Sequence, residues 1–315
     1  MSGEAAASQE QSQTRCGFAV ILGAPNAGKS TVINALVGQK ISIVTRKVQT
    51  TRIPIRGIAM RSNTQIVFID TPGIFLPKRR LDRAMVSAAW KGAKDADAIL
   101  VIVDAAEISA KPEGHAATDT ELILAGLKDK RPILVLNKTD AVRHEKLLPL
   151  TRRFTRQNEF LRVFMVSAIT GDGLDDLLDY CTSLMPNGPF LYPEDQAADI
   201  PSRLLAAEIT REKLYLRLHD ELPYSSTVVT ENWKEQKDGS VRIDQTIIVQ
   251  RDTQKAIVIG KGGQAIKSIG QASRTELEQL FGRRVHLFLQ AKVVENWQDR
   301  PAHYREWGLE FPKDA

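Results

Sequence analysis

The chain has 315 residues, 43% of them hydrophobic, and 43 Lys and Arg against 38 Asp and Glu give a net charge of +5. That length exceeds what one hydrophobic core usually fills, so two domains are expected. No apolar run approaches the ~20 residues that a membrane-spanning helix needs, which argues against such a helix. Residues 1–188 contain 25 basic and 19 acidic residues, whereas the remaining residues contain 18 basic and 19 acidic ones, so the positive excess lies in the first part of the chain. Net charge alone therefore does not assign polyanion binding to the second half.

The N-terminal residues 1–16 are rich in Ala, Ser, Gln and Glu. They have neither the apolar segment of a secretion signal nor the arginine-rich pattern of a transit peptide, so we predict a disordered leader. Cys16 and Cys181 lack metal-binding spacing, which fits a reducing environment. A cytoplasmic protein is expected.

Short β-branched runs alternate with helical patterns between residues 17 and 185, which predicts a doubly wound α/β domain with buried parallel strands. The clearest strands are 18–22, 66–69, 99–103, 133–136 and 163–166, and the clearest helices are 81–94, 115–129 and 174–185. Ligands of such sheets bind at the carboxyl ends of the strands.

Four prolines within residues 186–202 interrupt any helix or strand, so we interpret this segment as a linker. Residues 203–295 then predict the order α-β-β-α-α-β, with a turn at Asp238 and Gly239 between the first two strands. The result is a small α+β domain, followed by a tail at 296–315.

The sequence GAPNAGKS at residues 23–30 follows the first strand and precedes an apolar helix. This is the context of a phosphate-binding loop, in which backbone N–H groups face one anion, Lys29 reaches terminal phosphates and Ser30 binds Mg²⁺. The predicted phosphate-site residues are Gly23, Ala24, Pro25, Asn26, Ala27, Gly28, Lys29, Ser30 and Thr31.

Three further motifs follow strands of the same domain. Asp70 can hold Mg²⁺ through water, and the Gly73 N–H can meet a γ-phosphate. The Asp140 carboxylate can accept both N–H groups of guanine's N1/N2 edge, whereas adenine offers an acceptor there. The predicted residues of these motifs are Asp70, Thr71, Pro72, Gly73, Asn137, Lys138, Asp140, Ser167 and Ala168. Lys138 would cover the base, Asn137 would tie this loop to the phosphate loop, and Ser167 and Ala168 would offer an N–H to the guanine oxygen.

A glycine loop, GKGG, lies between two helical patterns of the second domain. Such a loop lets an RNA backbone approach closely, but glycine loops between helices are common, so the motif alone leaves both interpretations open. The candidate RNA-binding residues are Ile259, Gly260, Lys261, Gly262, Gly263 and Lys267. An apolar groove for unstacked bases is predicted from Ile257, Val258, Ile259, Ile266 and Ile269.

Together these motifs resemble the translation-factor-like GTPases, and within them the Era family, whose second domain is a type II KH domain. The resemblance runs from GAPNAGKS through QTTR, DTPG, NKTD and SA to GKGG. It implies a switch that binds GTP or GDP with Mg²⁺, in which residues 45–52 form the first switch. Thr51, which lies beside Thr50, would ligate Mg²⁺ when GTP is bound. The resemblance also implies binding near the 3′ end of 16S ribosomal RNA, assistance to maturation of the 30S subunit, a monomer, and a peripheral contact with the inner membrane.

Ile74 occupies the position where Ras-like GTPases carry the glutamine that orients the attacking water, so slow unaided hydrolysis is expected. Relatives with this substitution use a loop asparagine to bind K⁺. Asn26 matches that place, with Thr50 as a second candidate, although Asn26 could instead bond only its own loop. The predicted catalytic residues are Lys29, Thr51, Gly73 and Asn26.

Two other functions stay open from the residues. One is an RNA-binding scaffold with a structurally bound guanine nucleotide, and the other is a metabolic kinase on a phosphate-loop scaffold, against which NKTD counts. Trp233, Trp297 and Trp307 are interpreted as packing residues. The basic groups at 78–80 and 283–284 could contact RNA or simply face solvent.

Overall fold

The computed structural model of the protein describes residues 13–312 except 46, 48, 49, 157 and 219–221. The predicted α/β architecture of the first domain is confirmed. Its elements are β1 (Arg15–Gly23), α1 (Lys29–Val37), β2 (Ile55–Arg61), β3 (Thr64–Asp70), α2 (Arg80–Lys94), β4 (Ala98–Asp104), α3 (Ala105–Ala110), α4 (His115–Gly126), β5 (Ile133–Asn137), α5 (His144–Thr155), β6 (Arg162–Met165), α6 (Leu174–Leu184) and β7 (Ala198–Asp199).

These strands form one sheet in the order β6-β5-β4-β1-β3-β2-β7. The five strands β6, β5, β4, β1 and β3 are parallel to one another. At one edge of the sheet, β2 is antiparallel to β3, and β7 is antiparallel to β2. Strand β1 is buried on both faces because Ala19 and Ile21 belong to one apolar cluster, whereas Val20 and Leu22 belong to the other. The carboxyl end of β1 therefore lies at the centre of the sheet edge where the sequence places the phosphate loop.

The linker prediction was wrong in one respect, because part of it joins the sheet. In β7, Ala198 and Asp199 pair with β2. An earlier part of the same segment is also anchored, because the buried Gln65 side chain accepts from the N–H groups of Leu191 and Tyr192 and donates to the Tyr192 carbonyl at 2.8 Å. A pair of strand residues is too short to leave a sequence pattern.

The leader prediction also needs correction at its end. Strand β1 begins at Arg15, and Thr14 Oγ1 donates to the Gly188 carbonyl at 2.9 Å, so residues 13–16 are ordered against the start of the linker. Residues 1–12 lie outside the described part of the chain.

The second domain has the predicted α-β-β-α-α-β order. Its elements are α7 (Ser202–Arg217), β8 (Ser226–Glu235), β9 (Val241–Val249), α8 (Asp252–Ile259), α9 (Gln264–Phe281) and β10 (Val285–Val293), followed by α10 (Pro301–Glu306). The sheet order is β10-β9-β8, with β9 antiparallel to β8 and parallel to β10. Helices α7 and α9 pack on it through Leu214, Leu277 and Ile269.

The C-terminal segment 296–312 packs on the first domain. Trp297, Trp307 and Leu309 are buried in the apolar cluster that contains the α2 residues Leu81 and Met85. The packing role predicted for the two tryptophans is thus confirmed. None of the helices within the described residues is both long and apolar enough to span a membrane.

Candidate nucleotide and nucleic-acid sites

The phosphate loop turns directly from β1 into α1. Gly28 precedes the helix at φ 93°, and a Cβ there would lie 2.3 Å from the Asn137 amide nitrogen, so only glycine fits. Helix α1 begins with no capping side chain and no acidic residue in its first turn. Its first N–H groups and the positive end of its dipole therefore face the loop, which makes an anion site.

Lys29 lies at the mouth of this loop with 6% of its surface exposed. Its Nζ donates to the carbonyls of Gly23 at 3.1 Å and Ala24 at 2.9 Å. Burial lowers the pKa of Lys29 to about 8, although the Asp70 charge acts in the opposite direction. A phosphate group in the loop would be a stronger partner than two carbonyls for this desolvated cation.

Ser30, Thr51 and Asp70 come together from three separate segments. Ser30 Oγ lies 2.8 Å from Asp70 Oδ2 and 2.9 Å from Thr51 Oγ1, and Thr51 Oγ1 lies 3.4 Å from the same carboxylate oxygen. The motifs predicted Ser30 and Asp70 as Mg²⁺ residues, and the family resemblance added Thr51. The set of two hydroxyls and a carboxylate offers hard oxygen ligands.

Asp70 fits a cation site because of its burial. Its Oδ1 atom is buried with no hydrogen-bond partner among the described residues. Burial raises the pKa of Asp70, against a hydrogen bond from Ser42 and the charge of Lys29. Sequence reasoning missed Ser42, whose Oγ donates to Asp70 at 2.6 Å, because no motif marks it. A cation close to this carboxylate would offset its desolvation.

Asn137 connects its own loop, which follows β5, to the phosphate loop, as predicted, and also to the loop after β6. Its amide nitrogen donates to the Ala27 carbonyl at 2.9 Å, and its amide oxygen accepts from the Ala168 N–H at 3.1 Å. Lys138 adds a further tie, since its Nζ donates to the Asn26 carbonyl at 2.8 Å and to Asp104 at 2.5 Å. Sequence reasoning missed Asp104, which ends β4 at the same sheet edge.

Asp140 lies in a short 3-10 turn, Thr139–Ala141, and is exposed to solvent. The nearby Ser167 and Ala168 are expected to offer a free N–H to the guanine oxygen, and the structure differs. Their N–H groups donate to the Asp172 carbonyl and to Asn137, so a base would have to share or exchange these bonds.

Ile74 is fully buried behind the phosphate loop, where its N–H donates to the Gly23 carbonyl at 3.2 Å. An aliphatic residue in that position cannot orient water.

Asn26 is exposed in the loop with φ 63°. Thr50 Oγ1 lies 2.6 Å from Thr45 Oγ1 and donates to the Lys47 carbonyl at 2.7 Å. Positions 46, 48 and 49 of the predicted first switch lie outside the described residues.

The glycine loop of the second domain connects α8 to α9. Gly260 has φ 73°, and a Cβ there would lie 2.6 Å from the Ala265 Cβ. Helix α9 starts with no capping side chain and no acidic residue in its first turn. Lys261 and Lys267 are both exposed there. The loop thus presents backbone and positive charge to a polyanion.

The predicted apolar groove was wrong for two of its five residues. Val258 and Ile269 are buried in the domain core, because the helical repeat turns them toward the sheet. Ile257 is 52% exposed, and Ile259 and Ile266 are half-buried. Only these last three can line a groove.

One residue in each of the other two basic groups has a protein partner. Arg283 pairs with Glu235 at 2.5 Å, and Arg80 lies over the Phe311 ring at 5.0 Å from its centroid. These contacts favour structural roles for both side chains.

Comparison with known proteins agrees with this geometry. Residues 18–138 match a family model described as a 50S ribosome-binding GTPase, and residues 221–298 match the KH domain model. GTPase Era of Mesorhizobium japonicum is 59% identical over 305 residues, covering 96% of both chains, and GTPase Era of Caulobacter vibrioides is 55% identical, covering 95% of this chain and 98% of its own. The chain belongs to the GTPase Era family. It is therefore a GTPase with a C-terminal KH domain, as the motifs predicted.

Two solved Era structures share the fold, each with a TM-score of 0.86, 38% identity, and coverage of 94% of this chain and 99% of theirs. One is a point variant of Aquifex aeolicus Era bound to GDP and AlF4⁻, and the other is Era in complex with MgGDPNP and nucleotides 1506–1542 of 16S ribosomal RNA. The family model's description names the 50S subunit, whereas this RNA belongs to the small subunit.

Proposed function

We propose that this Era family member is a GTP-driven switch that binds the 3′ region of 16S ribosomal RNA through its KH domain and assists maturation of the 30S subunit. The observation that carries the proposal is the meeting of Ser30, Thr51 and Asp70 within hydrogen-bond distance. Thr51 lies in the loop between α1 and β2, whereas Ser30 lies in the first turn of α1 and Asp70 ends β3. A ligand that joins all three would order that loop.

In the nucleotide site, the N–H groups of residues 23–31 would bind the phosphates, and Lys29 would move from its loop carbonyls to the terminal phosphates. Asp140 would select guanine, with Lys138 covering the base. Ser30 and Thr51 would ligate Mg²⁺ directly and Asp70 through water. When bound, Mg²⁺ supplies positive charge against the phosphate oxygens.

Hydrolysis needs charge stabilisation rather than covalent help from the protein. Lys29 and the Gly73 N–H would hold the γ-phosphate, and Thr51 would hold the first switch closed. Because Ile74 cannot orient water, we expect a slow intrinsic rate. Family membership supports a working GTPase over a scaffold with a structural nucleotide.

We expect K⁺ to accelerate turnover through Asn26, with Thr50 as the second candidate ligand. Turnover should be at least about tenfold faster in K⁺ than in Na⁺ at equal ionic strength, a modest effect beside the ~10³ or more of an arginine finger. The matched variant is Asn26→Gly, which removes the side chain and tolerates φ 63°. Its rate should no longer depend on the cation. Equal wild-type rates in the two salts would refute the K⁺ site.

The KH domain would bind RNA along the loop from Ile259 to Gly263, with Lys267 one turn into α9. The 16S target is supported by the Era complex with nucleotides 1506–1542. We expect a cytoplasmic monomer, and contact with the inner membrane stays a prediction from the resemblance.

Crosslinking followed by sequencing of the bound RNA, in the GTP and GDP states, tests the proposed target. Crosslinks should concentrate at the 3′ end of 16S ribosomal RNA and increase with GTP. Crosslinks spread evenly over both ribosomal RNAs would refute the assignment.

A further inference from the structure

Arg52 follows the proposed Mg²⁺ ligand Thr51 but points into the second domain. Only 3% of its surface is exposed. Its Nη1 donates to the Ser226 carbonyl at 3.0 Å, and its Nη2 donates to the Tyr215 hydroxyl at 2.6 Å and the Pro223 carbonyl at 3.3 Å. A buried guanidinium is costly unless its donors are satisfied, so this arrangement depends on the pocket being intact.

Aromatic rings complete the pocket. The guanidinium carbon lies 5.4 Å from the Trp297 ring centroid and 5.8 Å from that of Tyr215. Trp297 is itself fixed, since its Nε1 donates to the Ser225 carbonyl at 2.9 Å and it has no exposed surface. Helix α7, the turn Pro223–Ser225 and the C-terminal segment thus meet around one side chain of the first domain.

The chain on the N-terminal side of Arg52 is held by α7 as well. Arg211 Nη2 donates to the Thr50 carbonyl at 2.5 Å, and Glu212 accepts from the Val44 N–H at 2.8 Å. Lys40 pairs with Glu212 at 2.7 Å and with Glu276 of α9 at 2.5 Å. These contacts hold the chain on the N-terminal side of Thr51, and Arg52 holds it on the C-terminal side.

We propose that Arg52 is a positioning residue for the GTPase site, which rests on the proposed role of Thr51 in binding Mg²⁺. Consecutive Cα atoms are ~3.8 Å apart, so a fixed Arg52 leaves the Thr51 hydroxyl little freedom. The pocket in the second domain holds that hydroxyl beside Ser30 and Asp70. The resemblance implies that Thr51 ligates Mg²⁺ when GTP is bound, so the pocket should stabilise GTP binding and leave GDP binding unchanged.

A purely structural Arg52 would behave differently. Its loss would loosen the contact between the domains and affect both nucleotides alike. The difference between GTP and GDP therefore separates the two roles, and the Mg²⁺ requirement of GTP binding adds a second readout.

The test compares Arg52→Met with Arg56→Met in the full-length chain. Methionine keeps an unbranched side chain and removes the guanidinium. Arg56 lies four residues away, and its guanidinium is exposed and pairs with Asp199 of β7 at 3.0 Å instead of entering the pocket. Affinities for a non-hydrolysable GTP analogue and for GDP are measured over a Mg²⁺ titration.

For Arg52→Met we expect analogue affinity to fall about tenfold, with a raised Mg²⁺ midpoint, while GDP affinity stays within about twofold. Arg52→Lys should recover part of the loss, and Arg56→Met should match the wild type. Equal effects on both nucleotides, or none on either, would overturn the proposal.

Tyr215→Phe covers the case in which Arg52→Met does not fold, since it removes one hydroxyl and keeps the buried ring. It should weaken analogue binding selectively and by less. Wild-type analogue binding that ignored Mg²⁺ would instead refute the proposed Mg²⁺ site. Where Arg52→Met does not fold, Mg²⁺-dependent wild-type binding together with wild-type analogue binding by Tyr215→Phe would refute only the role of Arg52.

Discussion

Replacing Asp140 with Asn should change the nucleotide preference from GTP to xanthosine triphosphate. The carboxylate accepts from both N–H groups of guanine, and an amide can accept only one and opposes the other with its own N–H₂. GTP affinity should fall on the order of a hundredfold, because a charge-assisted bond is lost and a donor is left unmatched. Xanthine carries a carbonyl at the position of the guanine amino group, so the amide suits it.

Competition binding with the two triphosphates measures this preference. Asp129→Asn is the matched control, because Asp129 is exposed and lies between α4 and β5. It precedes the amino end of β5, whereas Asp140 follows the carboxyl end of the same strand. The control variant should bind GTP like the wild type. Retained GTP preference in Asp140→Asn would refute the guanine assignment.

Placing acidic residues in the glycine loop should weaken RNA binding without changing nucleotide turnover. The variant combines Lys261→Glu with Gly262→Asp. A Cβ at Gly262 meets no atom within 4 Å, and Asp is one of the residues that tolerate its φ of 59°. Repulsion from phosphate should lower RNA affinity about tenfold or more at moderate salt.

Lys237→Glu provides the control for this variant. Lys237 is exposed in the turn between β8 and β9, and the nine residues of β9 separate that turn from the α8 end of the domain. RNA affinity should stay near the wild-type value in the control. GTP hydrolysis without RNA should stay within about twofold in both variants. An unchanged RNA affinity in the loop variant would refute the KH interface.

The motifs predicted the nucleotide site well because each one is local and follows a strand. Parallel strands bring their carboxyl ends to one edge, so knowing that Gly23, Asp70 and Asn137 end strands was enough to place them together. The hydrogen bonds from Asn137 to Ala27 and from Ser30 to Asp70 are the outcome.

Other features depend on contacts that leave no local pattern. Arg52 meets Tyr215 across 163 positions of sequence, and both residues look ordinary in their own segments. Ser42 could not be distinguished from any loop serine. The groove prediction failed at Val258 because a run of isoleucine and valine does not tell which face of a short helix is buried.

The most direct test of the switch is the affinity of the full-length chain for an RNA of the 16S 3′ end, at fixed Mg²⁺ and salt, with a non-hydrolysable GTP analogue and with GDP. In the proposed switch the nucleotide orders Thr51, and the same loop contacts α7 of the second domain through Arg52 and Thr50. We therefore expect RNA to bind about fivefold or more tightly with the analogue, within the usual range of coupling between sites. Equal RNA affinity in the two nucleotide states would contradict the proposed switch.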